Sequence, residues 1–238
     1  MASVMSVTWN SSRHNSLASR AISAPTVGIG SPGSLSRAAA MPLRRARWLV
    51  PPAHAQGSAL APTPRDAEGP FYPRTFPADV DADLTRVSGR PGVARGTPLL
   101  LSGRVLGTDG KPLAGATLEL WQCDADGTYH HVGASGPQDD DFQGYGRAIA
   151  SADGAWAFTT IRPVPYGGRP AHLHFRISHQ RSRRLTTQLY LKGESSESGM
   201  GGFFSRERDR LEIAPVRAQA AREPGALAAT YTFVLEAA

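Results

Sequence analysis

The sequence predicts an all-β fold, an antiparallel β-sandwich with long loops and little helix. Two observations lead to this prediction. The chain has 25 Gly and 19 Pro among its 238 residues, more than a globular protein usually contains, which favours turns over long helices. At least seven short apolar segments, separated by polar turn residues, also recur along the chain, many at intervals of roughly 8 to 15 residues, as in β-sandwiches.

The predicted strands follow one another from residue 98 to the C-terminus. They are Pro98–Val105, Ala116–Gln122, Gly144–Ser151, Ala155–Ile161, Ala171–Ser178, Leu185–Leu191 and Ala228–Leu235. Turn residues at 107–110 and 152–154 separate the first four strands in pairs, so we expect two hairpins. Residues 205–223 are rich in Arg, Glu and Ala and are expected to form a short helix or a loop.

Residues 1–65 are expected to be a disordered leader or targeting segment, followed by the structured domain over residues 66–238. The first forty residues include ten Ser and show no sustained periodicity. Residues 41–56 combine an Arg pair with an Ala-His-Ala step, as an export signal does, but the apolar stretch between them is missing. An acid-free segment rich in Ser and Arg also resembles a transit peptide, so the sequence leaves cytoplasmic and exported locations open.

The formal net charge of +6 does not indicate a nucleic-acid-binding protein, because the excess charge lies in the leader. Residues 1–65 hold seven Arg and no Asp, Glu or Lys, whereas the remaining residues hold 19 basic and 20 acidic side chains. The single Cys123 excludes an intrachain disulfide. No apolar run approaches the ~20 residues of a membrane-spanning helix, so we expect no membrane span.

His172 and His174 are the first candidates for a metal site. Side chains at positions i and i+2 of a strand project to the same face, so both imidazoles would point one way and Leu173 and Phe175 the other. Two histidines on one face supply half of the ligands of a four-coordinate metal. Two histidines on a solvated strand face would show the same pattern, so this motif alone leaves both interpretations open.

Two tyrosines lie where a turn leads into a strand. Tyr129 follows the turn residues Asp126–Thr128, and Tyr166 lies between Pro165 and the pair Gly167–Gly168. The proline and the glycines constrain the second loop, which indicates that it aims Tyr166 in a specific direction. Taken singly, each tyrosine is equally consistent with packing or with turn capping.

These residues belong to an ordered set of motifs that resembles the intradiol ring-cleavage dioxygenases, with a nearer likeness to the iron-bearing chain of protocatechuate 3,4-dioxygenase. The resemblance extends from residue 68 to residue 235 and includes Tyr72. The motifs are Gly127–Tyr129, Gly144–Arg147, Ile161–Tyr166, Arg169–Phe175 and Thr187–Tyr190. The resemblance implies an enzyme that uses O2 to cleave a catechol-type ring between its two hydroxylated carbons.

The resemblance also implies a mononuclear nonhaem Fe(III) site with two tyrosinates and two histidines as ligands. The matching positions are Tyr129, Tyr166, His172 and His174. A hard trivalent ion prefers anionic oxygen and imidazole nitrogen, so this ligand set is chemically compatible. A free phenol ionises near pH 10, and only the charge of a bound cation would depress its pKa enough to give a phenolate.

Catalytic and substrate-binding roles are implied by the same resemblance. Tyr166 matches the ligand that the substrate displaces, and Arg169 matches an arginine that stabilises negative charge near the substrate ring. Gln188 matches a catalytic position beside the metal ligands. The residues expected to contact the substrate are Trp121, Tyr190 and Tyr72.

Three other functions remain open at this point. The segment Ser102–Leu120 also resembles the hairpin of transthyretin-like β-sandwiches, which would make the chain a non-enzymatic binding module. A catalytically silent partner chain of an active subunit is a second alternative, and a zinc hydrolase using His172, His174 and a carboxylate is a third. The sequence does not decide which catechol is the substrate, or whether the enzyme needs a homo-oligomer or a partner chain.

Overall fold

Two β-sheets and one short helix make up the part of the chain that a computed structural model describes, residues 59–130, 136–193, 205–219 and 224–238. The strands are β1 Pro98–Gly107, β2 Thr117–Trp121, β3 Tyr145–Ile149, β4 Ala155–Ile161, β5 His172–His179, β6 Ser182–Leu191, β7 Glu212–Ile213, β8 Val216–Arg217 and β9 Leu227–Leu235, and the helix is α1 Ser205–Asp209. The predicted all-β class is thus confirmed. No helix in these ranges is long and apolar enough to cross a membrane. The leader predicted for residues 1–65 lies almost entirely outside the described residues.

The strands form one sheet in the order β4-β1-β9-β8 and a second in the order β3-β2-β5-β6-β7. The two expected hairpins are wrong, because β1 pairs with β4 whereas β2 pairs with β3, in the other sheet. Glycine-rich turns reverse the chain direction but do not choose the strand with which the next segment forms hydrogen bonds. The turns at 107–110 and 152–154 therefore carry the chain from one sheet to the other.

Both sheets are mixed, which corrects the expectation of purely antiparallel pairing. Strand β9 runs parallel to β1, and β7 runs parallel to β6. The remaining strand pairs are antiparallel. The C-terminal strand β9 covers the side of β1 that β4 leaves free, so β1 has hydrogen-bonding partners on both sides.

The core lies between the two sheets, and aromatic rings from both sheets meet there. The Phe175 ring on β5 is 5.0 Å from the Phe233 ring on β9 and 5.8 Å from the Trp156 ring on β4, measured between centroids. Leu173, the neighbour of Phe175 on the same face of β5, is fully buried in this core. The opposite face of β5 therefore points away from the core and is available for a functional site.

The segment of residues 63–72, which we call the strap, lies beside strand β6. The backbone N–H of Asp66 donates to the Thr186 carbonyl at 3.0 Å. The Thr187 hydroxyl donates to the Pro64 carbonyl at 2.8 Å, and the amide of Gln188 donates to the Ala67 carbonyl at 2.6 Å. These bonds tie the strap to the five-stranded sheet and lead its later residues across the outer face of β5.

Candidate metal centre

Strand β5 carries both histidines on its outer face. His172 and His174 are each 1% exposed, and their Nε2 atoms are 3.1 Å apart. The side chains between and after them, Leu173 and Phe175, point into the core. The predicted alternation is confirmed, and the interpretation of two histidines on a solvated strand face is wrong, because loops and the strap cover this face.

The two tyrosine hydroxyls complete a cluster with the imidazoles. The hydroxyl oxygen of Tyr166 is 3.3 Å from Nε2 of His172 and 3.1 Å from the hydroxyl oxygen of Tyr129. Nε2 of His174 then lies next to Nε2 of His172. Three separate segments of the chain therefore bring two oxygens and two nitrogens together, and we call these four atoms the donor cluster.

A hydrogen bond to the backbone fixes the orientation of the His172 ring. Its Nδ1 atom is 2.7 Å from the Pro170 carbonyl oxygen. A carbonyl only accepts hydrogen bonds, so Nδ1 carries the proton and the lone pair of Nε2 points into the donor cluster. Metal-binding histidines usually have such a hydrogen bond on the nitrogen that does not bind the metal, since it fixes the tautomer and the ring orientation.

Burial keeps the side chains of Tyr129, His172 and His174 neutral. It raises the pKa of Tyr129 well above its ordinary value of 10, and the adjacent Tyr166 raises it further. Burial lowers the pKa of His172 to about 4 and that of His174 well below 6.5. Desolvation penalises the Tyr129 phenolate and both imidazolium ions, and a bound cation would reverse this penalty for the phenolate only.

The chemistry of these donors fits a hard trivalent cation, since they are two imidazole nitrogens and two oxygens that can become anionic. Among the described residues no group of three or more His, Cys, Asp and Glu side chains could hold a metal ion. A metal at this place therefore depends on the tyrosine oxygens. The alternative of a zinc hydrolase lacks the carboxylate that it requires within the described part of the chain.

Two aromatic rings hold the ligands in place. Trp121 on β2 stacks on His174 with centroids 5.0 Å apart and planes inclined by 10°. Phe71 of the strap stacks on Tyr129 with centroids 4.3 Å apart and planes inclined by 16°. The sequence predicted a substrate contact for Trp121, and the structure places this fully buried ring against a candidate ligand. Phe71 was not predicted, although it directly precedes Tyr72 in the sequence.

A buried carboxylate shapes the turn that presents Tyr129. Asp124 is 0% exposed, and its Oδ1 accepts from the backbone N–H groups of Asp126 at 3.0 Å and Thr128 at 2.9 Å. Its Oδ2 accepts from the backbone N–H of Asp139 and lies 3.1 Å from Nε2 of His130. Sequence reasoning missed Asp124, but an Asp two residues before Asp-Gly is typical of such a turn.

Arg169, Gln188 and Tyr190 lie together beside His172. The Arg169 guanidinium donates to the amide oxygen of Gln188 at 2.7 Å. The Tyr190 hydroxyl donates to the carboxylate of Asp66 at 2.8 Å, and the Tyr190 ring is 6.0 Å from the His172 ring. Asp66 therefore joins these three residues, and this contribution of the strap was not predicted.

Tyr72 lies behind Trp121 rather than beside the donor cluster. Its ring meets the Trp121 ring edge-on with centroids 5.0 Å apart, and its hydroxyl donates to the buried carboxylate of Glu119 at 3.0 Å. The Arg176 guanidinium lies 3.5 Å from the centroid of the Tyr72 ring and pairs with Glu68. These contacts anchor the strap, whereas the substrate contact predicted for Tyr72 stays a prediction.

A cleft of about 530 Å³ lies next to the turn that carries Tyr129 and is lined by residues such as Phe76, His130 and Phe142. None of the side chains of the donor cluster lines this cleft. The convergence of donor atoms, rather than the volume of a cleft, therefore locates the candidate site.

Comparison with known proteins identifies a family and several relatives that this chain resembles. Residues 67–237 match the protein family described as Dioxygenase. Catechol 1,2-dioxygenase 1 of Acinetobacter lwoffii is 37% identical over 150 residues, which make up 56% of this chain and 47% of that protein. The protocatechuate 3,4-dioxygenase beta chain of Burkholderia cepacia is 34% identical over 160 residues, 62% of this chain and 68% of that one.

One solved structure shares the fold of this chain over the whole length of the solved chain. It is the dioxygenase domain of a dioxygenase carbohydrate-binding protein fusion from Streptomyces sp. SirexAA-E. The superposition has a TM-score of 0.54 at 28% identity and covers 75% of this chain and 100% of that chain. By contrast, the chain spans about half the length of the catechol 1,2-dioxygenase that it matches.

Proposed function

Because the chain belongs to the intradiol dioxygenase family, we propose that it uses nonhaem Fe(III) and O2 to cleave a catechol-type ring. The bond that breaks is the one between the two hydroxylated carbons. The observation that carries the proposal is the donor cluster, in which two phenolic oxygens and two imidazole nitrogens converge. Ferric iron bound there supplies a Lewis acid that favours the deprotonated catechol and a redox centre for its reaction with O2.

The two tyrosines have different surroundings, which suggests different roles. Tyr129 is 2% exposed, its ring is covered by Phe71, and Asp124 holds its turn, so it is the permanent oxygen ligand. Tyr166 is partly exposed and lies on a loop that continues into two exposed glycines. We assign to Tyr166 the role of the ligand that moves aside when the substrate binds, so that its oxygen takes up a proton from a catechol hydroxyl.

Arg169 is the group best suited to stabilise negative charge on the substrate. Its guanidinium is held by Gln188, which the strap in turn holds through Ala67. A guanidinium keeps its proton at all relevant pH values, so it stabilises an anion without acting as an acid. Gln188 acts by positioning Arg169. A hydrogen-bond donor that is fixed in this way, here the Arg169 guanidinium, typically contributes about 10²-fold or more to the reaction rate.

The proposal is tested with the full chain loaded with ferrous iron in air. Bound iron should give a visible absorption band from tyrosinate-to-iron charge transfer, and O2 uptake is measured with catechol, protocatechuate and hydroxyquinol. Tyr129→Phe and His172→Ala should lose iron and colour, because each removes a donor atom. Arg169→Ala should keep iron and colour and lose about 10²-fold in kcat.

Tyr231→Phe is the matched control for Tyr129→Phe. The Tyr231 hydroxyl donates to the Arg210 carbonyl, and its ring packs against the core between the sheets. The Tyr231→Phe variant should therefore keep iron and activity. Full activity in either ligand variant contradicts the proposed site. A colourless protein in which elemental analysis finds zinc instead of iron contradicts the proposed chemistry.

A further inference from the structure

Arg208 lies beside the donor cluster on the side of Tyr190, and the predicted site did not include it. Its guanidinium carbon is 4.3 Å from the centroid of the Tyr190 ring, and that ring neighbours the His172 ring. Arg169, which donates to Gln188 two residues before Tyr190, also carries a positive charge. Arg208 is thus a second cation near the candidate metal ligands.

Strand pairing fixes the position of Arg208. The Arg208 carbonyl accepts from the backbone N–H of Leu211 at 2.8 Å, and the Leu211 carbonyl accepts from the backbone N–H of Tyr190 at 2.9 Å. Leu211 is 2% exposed, and the residue after it pairs with Tyr190 in the β6–β7 ladder. The backbone at Arg208 is therefore tied to the same strand that carries Tyr190 and Gln188.

The charge of Arg208 has no carboxylate partner in the described part of the chain. Six other described arginines form ion pairs, namely Arg90, Arg95, Arg104, Arg147, Arg176 and Arg183. Arg208 forms none, although its chain neighbours Glu207 and Asp209 are acidic, and Arg169 donates only to a neutral amide. Asp66 is the one carboxylate bonded within this group of residues, and it accepts from Tyr190.

A guanidinium over an aromatic ring keeps N–H donors in its own plane, and these donors match the two oxygens of a carboxylate. The interaction with Tyr190 therefore explains where Arg208 lies and leaves its hydrogen-bonding capacity unused. Among the charged side chains that act on Tyr190, Arg169 and Arg208 are cations and Asp66 is the one anion, which makes this side of the site attractive to a negative group.

We propose that Arg208 binds an anionic substituent on the substrate ring, so that the site prefers a carboxylated catechol over catechol itself. This inference rests on the proposed function, because the donor cluster must first place the ring next to Tyr190. Arg208 is then a specificity-determining residue. A purely structural clamp on Tyr190 would instead affect substituted and unsubstituted rings equally.

The test compares Arg208→Met, which keeps a long side chain over Tyr190, with Arg208→Lys, which keeps the charge and loses the planar fork. Calorimetry on the iron-loaded full chain measures the Kd of 4-hydroxybenzoate and of phenol, neither of which has the adjacent hydroxyl pair that is cleaved. The ratio of kcat/KM for protocatechuate to that for catechol is measured in parallel. Arg183→Met, an exposed arginine on the opposite end of β6, is the control.

Arg208→Met should raise the Kd of 4-hydroxybenzoate relative to that of phenol about tenfold and lower the kcat/KM ratio by a similar factor, as expected for one charge-assisted bond. Arg208→Lys should give a smaller change, and Arg183→Met should leave both ratios unchanged. In the unsubstituted chain, added salt should weaken binding of 4-hydroxybenzoate more than that of phenol.

Equal changes for both ligands, or unchanged ratios in both Arg208 variants, overturn the inference. Those results leave the proposed function standing as long as catechol is still cleaved. A chain that takes up no iron and consumes no O2 with any catechol overturns the proposed function instead, so the two failures are distinguishable.

Discussion

Gly69 sets the distance between the strap and His174. It has a φ of +72°, a left-handed conformation that residues with a side chain rarely adopt. A Cβ at this position would lie 3.1 Å from Cε1 of His174. Glycine is therefore required here for two reasons, the backbone conformation and the close approach to a candidate metal ligand.

Gly69→Ala should destabilise the fold and also disturb the metal centre. The left-handed conformation costs a residue with a side chain about 1–2 kcal/mol, and the new methyl group presses on the His174 ring. Urea unfolding and titration with iron measure the two effects separately.

Gly89→Ala is the matched control, because Gly89 has a φ of +80° and open space around its Cβ position. It should show a similar loss of stability with unchanged iron affinity. Equal iron affinity in both variants would contradict a role for Gly69 at the metal centre.

The central position of strand β5 in its sheet explains why His172 and His174 are held in place. It lies between β2 and β6 in the five-stranded sheet and has hydrogen-bonding partners on both sides. Its register places His174 opposite Trp121 on one neighbour and opposite Gln188 on the other. A site built on a central strand is held more precisely than one built on loops alone.

The parallel pair β1–β9 depends on a single glycine. A Cβ at Gly103 would lie 1.7 Å from the Tyr231 carbonyl oxygen, so any side chain would force the two strands apart. Gly103→Ala should lower the free energy of unfolding by at least about 2 kcal/mol, as expected when overpacking shifts the backbone. Chemical denaturation measures this change.

Ser102→Ala, one residue earlier on the same strand, should stay within about 0.5 kcal/mol of the original chain. Because Ser102 pairs with Thr230 in the same ladder, it controls for a general effect of substitution in β1. If both variants were equally stable, the close approach of β1 and β9 would not be needed for the fold.

The strap connects the two sheets to the donor cluster. Thr63 exchanges two hydrogen bonds with Val234 on β9, one at 3.0 Å and one at 2.8 Å. Eight and nine residues later the strap places Phe71 and Tyr72 on the outer face of the other sheet. The site and the core therefore share one continuous segment near residue 66.

A chain that begins at residue 73 should unfold at a lower urea concentration than one that begins at residue 59, and it should bind no iron. The shorter chain loses the bonds from Thr63, Asp66 and Ala67 and the ring that covers Tyr129. Denaturation followed by tryptophan fluorescence and an iron titration measure both effects. The chain from residue 59 should match the full chain, and a difference between those two would contradict the predicted leader.

Local signals in the sequence predicted the histidine pair and seven of the nine strands that the structure describes. The other two, β7 and β8, lie within residues 205–223, which were expected to form a short helix or a loop. Alternating apolar residues between turn residues predicted seven strands, and His172 and His174 occupy the same face as their spacing requires. The tyrosine positions came from the ordered motifs that resemble the family.

Strand pairing and the contacts that support the site become visible only in the folded chain. The turns gave no indication that β3 and β4 belong to different sheets, because partner choice depends on how distant apolar faces pack together. The contacts of Asp66 and Arg208 with Tyr190 join residues far apart in the chain, and no local pattern encodes them. Local periodicity thus sets each element, whereas packing between remote segments sets the surroundings in which the donor cluster operates.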